Sequence, residues 1–172
     1  MDLTVAPNFK YEGRLAYTLA GFEGERFIFV DAAATALRRL VVVQFEHIAS
    51  TSSEIYRYDL RAGHDIGGLR FVSNTFAFPG AREITASPRD EADRTNNFLL
   101  ARGFEIPAVW LVTRHVTIGD GDKRKCEMIV FYMEARSDLT MRDLYSDDEP
   151  TAAWKEQKLG VEERSRSSFA IE

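Results

Sequence analysis

The sequence predicts an α+β protein, with a curved, mainly antiparallel sheet or partial barrel of about six to seven strands, a helix inserted near 88–102 and a C-terminal helix at 150–168. Three observations predict it. Segments with period-two alternation recur between Gly, Pro and Asn turn residues. The run Arg38 to Ile48, with Leu40-Val41-Val42-Val43 at its centre, starts apolar on both faces, as an interior strand does. Convincing helix signals are confined to two segments.

Residues 1–12, with Pro7 and Asn8, read as a loose N-terminal segment. Arg14 to Ala20 alternates Leu15, Tyr17 and Leu19 against Arg14, Ala16 and Thr18, a strand with one apolar face. Gly21-Phe22-Glu23-Gly24 reads as a turn, and Glu25 to Asp31 as a second strand. Asp31 to Leu37 fits a short capped helix or a connection between antiparallel strands, and the β runs on either side favour the connection. In the central run, adjacent valines are stiff at χ1 and suit a pleated surface. Its faces separate Leu40, Val42, Gln44, Glu46 and Ile48 from Val41, Val43, Phe45 and His47.

Tyr56, Tyr58 and Leu60 alternate with polar residues and predict another strand after the Ser50–Ser53 loop. Gly63 to Gly68 reads as a turn, and Leu69 to Phe78 as a strand ended by Pro79-Gly80. Ser87 then suits an N-cap and Pro88 the first helical position. Asp90, Glu91 and Asp93 follow, and Gly103 fits the residue past the last turn. Val109 to Ile118 and Cys126 to Ala135 form two long strands joined through Asp120-Gly121-Asp122. Residues 137–150 are an acidic connection, and Pro150 opens the last helix, which Gly160 weakens.

The chain has 172 residues, 45% hydrophobic and 28% charged, which suits one domain, 1–172, with a substantial core. Its net charge of −5 without a basic stripe argues against nucleic-acid binding. Cys126 is the one cysteine, so no internal disulfide forms and a reducing, cytoplasmic setting is expected. The first residues show no basic region leading into an apolar block, and no stretch reaches membrane-spanning length, so neither a signal peptide nor a membrane partner is expected.

No motif names a reaction, so catalytic residues stay unassigned. Asp120-Gly121-Asp122 is followed by Lys123-Arg124-Lys125 rather than the further oxygen ligands of a calcium loop. His47, His64 and His115 show no paired metal-ligand spacing, and no cofactor or metal is expected. Cys126 follows three cations that could favour its thiolate, but no nucleophile signature surrounds it. One pattern stands out. Gln44, Glu46, Arg114, Tyr132 and Glu134 are polar side chains on otherwise apolar strand faces. If those faces converge they form an apolar ligand pocket with a few polar anchors. If they do not, the charges mark wet strand ends joined by weak surface ion pairs.

The leading expectation is therefore a small-molecule-binding domain with an apolar ligand between the sheet and a helix. A second is an enzyme on the same pocket, with Glu46 or Glu134 as general acid/base and Tyr132 or His47 as proton partner. A third is a non-catalytic homodimeric module using aromatics such as Trp110 or Phe76.

Overall fold

The computed structural model describes residues 2–19, 21–81, 83–119, 123–147 and 149–172. The turn expected at Asp120-Gly121-Asp122 lies outside the described residues, as do Ala20 and Asp148. The fold is α+β with an open, seven-stranded antiparallel sheet in the order β2-β3-β4-β8-β7-β6-β5. Its strands are β2 (Lys10–Leu19), β3 (Phe22–Ala33), β4 (Ala36–Ile48), β5 (His64–Ile66), β6 (Leu69–Pro79), β7 (Val109–Gly119) and β8 (Cys126–Arg136). The valine-rich run is interior, as its two apolar faces require. It becomes β4, between β3 and β8, with Leu40 to Val43 at most 3% exposed.

Both faces of the sheet are covered. Ile28, Leu40, Val42, Trp110, Val112 and Met133 pack with Phe98 and Leu99 of α1 (Glu91–Leu100). Val41, Val130, Leu111 and Tyr132 pack with Leu144 of α2 (Met141–Leu144) and with Trp154 and Val161 of α3 (Ala152–Arg166). The chain ends close this second layer: β1 (Leu3–Val5) pairs antiparallel with β11 (Phe169–Ile171). A short ladder of β9 (Tyr145–Ser146) with β10 (Glu149–Pro150) precedes α3. Among the described residues, no helix is long and apolar enough to cross a membrane.

Several sequence expectations shift. The N-terminal segment is not loose, because Leu3 and Val5 gain backbone pairing from β11 and pack on the core below it. Gly24 lies inside β3, paired with Tyr17 and Glu46, rather than in a turn. The strand expected at Tyr56–Leu60 is irregular chain leading into a 3₁₀ turn, Leu60–Ala62, which Asp59 caps by accepting from the Arg61 amide at 3.2 Å. Its alternation reflects Tyr56 packing beside Phe22 and stacking with Tyr58, not membership of a ladder.

Residues 31–37 form the favoured strand connection. Ala33 pairs with Ala36 across a tight turn in which Ala34 has φ 54°. Helix α1 starts at Asp90, not Ser87, because the Asp90 carboxylate accepts from the Asp93 amide at 2.9 Å. Its other end is a Schellman turn at Gly103 (φ 82°), with the Phe104 and Gly103 amides donating to the Leu99 and Leu100 carbonyls. Helix α3 is capped by Thr151, one residue beyond Pro150.

Candidate functional site

Adjacent residues in register on neighbouring strands project to the same face. The pairings Arg26↔Gln44, Gln44↔Ile129, Val42↔Phe131 and Phe131↔Arg114 therefore put Arg26, Gln44, Glu46, Glu127 and Arg114 together beneath α1. Three of the five residues expected to anchor a ligand, Gln44, Glu46 and Arg114, share this face. Tyr132 and Glu134 do not. Val42 pairs with Phe131, so the next residue, Tyr132, projects to the opposite side. The five side chains thus do not line one hollow.

On that opposite side Glu134 is held in place by α3. Arg164 donates to it through Nε (2.6 Å) and Nη2 (2.9 Å), and the buried Tyr132 hydroxyl donates at 2.8 Å. Gly160 gives Arg164 this path, because a Cβ there would lie 3.0 Å from the guanidinium. The glycine that weakens the helix by propensity lets the guanidinium lie close against the helix backbone on its way to Glu134. Nearby, the buried Asp31 accepts from both Arg38 and Arg39. Burial alone would raise its pKa, but these two hydrogen-bonded cations overcome it and hold the carboxyl below the usual range.

Beneath α1 the side chains form a connected relay. The Arg26 guanidinium donates to the Glu91 carbonyl and to Thr95 Oγ1, both at 2.7 Å, and through Nε to Gln44 Oε1 at 2.6 Å. Gln44 Nε2 then donates to Glu46 Oε2 at 3.0 Å. Glu46 faces Glu127 directly across the β4–β8 ladder. Glu127 is only 5% exposed, and its Oε2 receives no amide, amine or hydroxyl donor among the described residues. Two carboxylates in such a position repel one another, and a shared proton turns the contact into a hydrogen bond. Burial first, then the hydrogen bond and charge of Glu46, push Glu127 up to about 8. Burial also raises Glu46.

Tyrosines close this end of the site. The Tyr17 ring crosses over Gly24, where a Cβ would come within 2.4 Å of Tyr17 Cζ, and this brings its hydroxyl toward Glu46 and Arg26. Tyr56 and Tyr58 approach from the loop after β4, stacked with centroids 6.4 Å apart. Arg124 supports that loop, its carbonyl accepting from the Tyr56 amide and its guanidinium donating to the Tyr58 carbonyl. Burial, then the Glu127 charge, pushes Tyr58 up to about 12 and raises Tyr56 further, while burial and Glu46 raise Tyr17. The Tyr17 and Tyr56 hydroxyls and Arg94 Nε are buried without a hydrogen-bond partner among the described residues.

Toward the middle of the sheet the same face becomes apolar. A cavity of about 400 Å³ lies between it and α1. Val42, Phe76, Phe78, Phe131 and Met133 line it, with Arg26, Arg114, Asp90, Glu91, Thr95 and Asn96 as polar groups. Arg26 also sits over the Phe131 ring, 5.2 Å from its centroid.

The other residues singled out in the sequence lie elsewhere. His47 pairs with Cys126, its Nδ1 3.2 Å from the sulfur, one residue along from the carboxyl pair and on the opposite face. It is therefore not the proton partner of Glu46. His115 is buried between Ser73 and Ser165, and burial, with His64 nearby, lowers it to about 4. Among the described residues no His, Cys, Asp and Glu group of three or more could hold a metal ion. Trp110 is fully buried beneath α1, because its partner Phe78 and the helix cover it, and it offers no surface for a dimer.

Sequence reasoning overlooked Glu127 and Arg26, although both carry the signal that picked out Glu46. Glu127 continues the stripe Ile129, Phe131, Met133, and Arg26 continues Ile28, Val30. Comparison with known protein families, curated proteins and solved structures finds no match for this chain.

Proposed function

We propose that the protein is a small-molecule-binding domain whose ligand lies between the sheet and α1. The cavity of about 400 Å³ carries this reading. It has the size and character of ligand sites, with an apolar lining and a few placed polar groups. Val42, Phe131 and Met133 would form the floor and α1 the lid, with Arg26 and Arg114 orienting a polar end. Tyr132 and Glu134 have no part in this site.

The test is thermal unfolding against a panel of metabolites and lipids, repeated on Ala92→Phe. Ala92 lines the cavity from α1 and is only partly buried, so a larger side chain fills the space from the helix side. A compound that stabilises the native chain and fails to stabilise the variant supports the reading. Equal stabilisation of both proteins, or of neither by any compound, counts against it.

A second reading is an enzyme on the same face, favoured by one observation. Glu127 is buried and faces Glu46 directly across the β4–β8 ladder, and burial with the nearby Glu46 pushes it up to about 8, so it would serve as an acid at neutral pH beside a carboxylate able to act as base. Turnover of any compound found by the panel should then fall as pH rises past about 8 and collapse in Glu127→Gln. Turnover that survives that substitution removes the acid from the mechanism.

A further inference from the structure

We infer that the end of this face built on Glu46, Glu127, Tyr17 and Tyr56 is a subsite for an organic ammonium group. The inference rests on the small-molecule reading and adds a charged subsite on the same sheet face, at an opening lined by Tyr17, Glu46, Arg94 and Glu127 beside the cavity under α1. Four oxygen-bearing side chains meet here from three strands and a loop. Glu127, Tyr17 and Tyr56 are each at least nine-tenths buried. The two hydroxyls have no hydrogen-bond partner among the described residues, and Oε2 of Glu127 receives no donor. Buried polar atoms of this kind are costly unless something satisfies them.

An ammonium supplies three N–H donors and a positive charge. It would join the two carboxylates and give the hydroxyl oxygens a donor. The stacked Tyr56 and Tyr58, with Phe22 beside Tyr56, add the ring faces that attract such cations. A multivalent metal fits less well, since the described residues hold no group of three or more acidic, histidine or cysteine ligands. Glu46 and the buried Glu127 face one another across the β4–β8 ladder, so the pair calls for one positive charge, which a proton or an ammonium could supply. An ammonium would replace that proton without changing the total charge.

The other charged groups facing the pair set the terms of this exchange. Arg26 and Glu91 act on Glu46 from β3 and α1, and Tyr58 from the loop after β4 and Arg114 from β7 act on Glu127. Arg26 is bound to Gln44, Thr95 and the Glu91 carbonyl and lies close to the Tyr17 hydroxyl without meeting hydrogen-bond geometry to it, so its guanidinium is held by its other partners. Arg94 lines the same opening as Tyr17, Glu46 and Glu127, and its buried Nε has no hydrogen-bond partner among the described residues. It stands where an acceptor on the same ligand would meet it.

Because proton and ammonium compete, affinity should rise with pH, by up to about tenfold per unit, and level off near the pair's own titration. The test is NMR titration of the full chain with methylammonium at several pH values, with acetate as the opposite charge. Glu127→Gln serves as the variant, because glutamine has the shape of the protonated acid and should preserve the fold. The expected result is saturable shifts at Tyr17, Tyr56 and Glu127 with methylammonium. They should strengthen with pH in the native chain, and in Glu127→Gln weaken by about tenfold or more and follow only the titration of the remaining Glu46. Saturation by acetate instead, no response to methylammonium at alkaline pH, or unchanged affinity in the variant would each overturn the assignment. Stabilisation by an apolar compound without a methylammonium response removes the ammonium subsite alone; no response to either removes the small-molecule reading as well.

Discussion

The Tyr17 ring lies across the backbone of Gly24, so close that a Cβ on the glycine would meet Cζ at 2.4 Å. This contact carries the tyrosine hydroxyl from the edge strand toward Glu46. It explains why a glycine is useful inside β3, where it would otherwise weaken the strand. Gly24→Ala should therefore cost about 1–3 kcal/mol, the usual range for overpacking. In a Tyr17→Ala background the same change should cost much less, since the clashing ring is gone. Denaturant unfolding of the four proteins checks this, and additive effects would disprove the contact.

At the far end of β3 the backbone itself is strained. Ala34 is exposed in the β3–β4 turn with φ 54°, a conformation an L-residue with a Cβ resists. Ala34→Gly should stabilise the protein by about 0.5–1 kcal/mol, since relief of strain outweighs the added freedom of the unfolded chain. A loss of stability would mean that the turn does not hold Ala34 in the left-handed region.

Glu134 and Glu46 are both acids on apolar stripes, but the fold gives them different work. Glu134→Gln weakens the bidentate bond to Arg164 and should lower stability by about 0.5–1 kcal/mol, a modest figure because the arginine is half exposed. It should leave ligand binding unchanged. Glu46→Gln should impair binding instead. A Glu134→Gln variant of normal stability that no longer binds ligand would reverse the roles assigned to the two faces.

Most of the fold could be read from the sequence because it rests on local alternation. The valines of β4 declared an interior strand, and both long strands of the β7–β8 pair were placed almost to the residue. What alternation cannot carry is register. Glu46, Arg114 and Glu134 looked equivalent one strand at a time. Only the pairing of Val42 with Phe131 shows that Tyr132 and Glu134 turn away. Glu127 was missed because it stands at the start of its strand, where polar residues are commonplace, and the tyrosines that face it, Tyr56 and Tyr58, come from a loop distant in sequence. The pairing of β1 with β11 joins chain ends far apart in sequence, and neither short segment carries a pattern of its own.

Stability should also report the carboxyl pair. Glu127 binds its proton more tightly folded than unfolded, rising from an ordinary 4.5 to about 8. A raised pKa favours the folded state at low pH, so this contribution is complete below about 4.5, declines as pH rises, and is gone above about 8. The slope in that window is at most about 1.4 kcal/mol per pH unit for one proton. Glu127→Gln should flatten it. Equal slopes in the two proteins would place Glu127 in contact with solvent.

The most direct test is the pH titration of the Glu127 carboxyl carbon by NMR, in the native chain and in Glu46→Gln. The account predicts a midpoint near 8 in the native protein and a lower one once Glu46 no longer supplies its charge. Two glutamates titrating independently in the ordinary carboxylate range would contradict it.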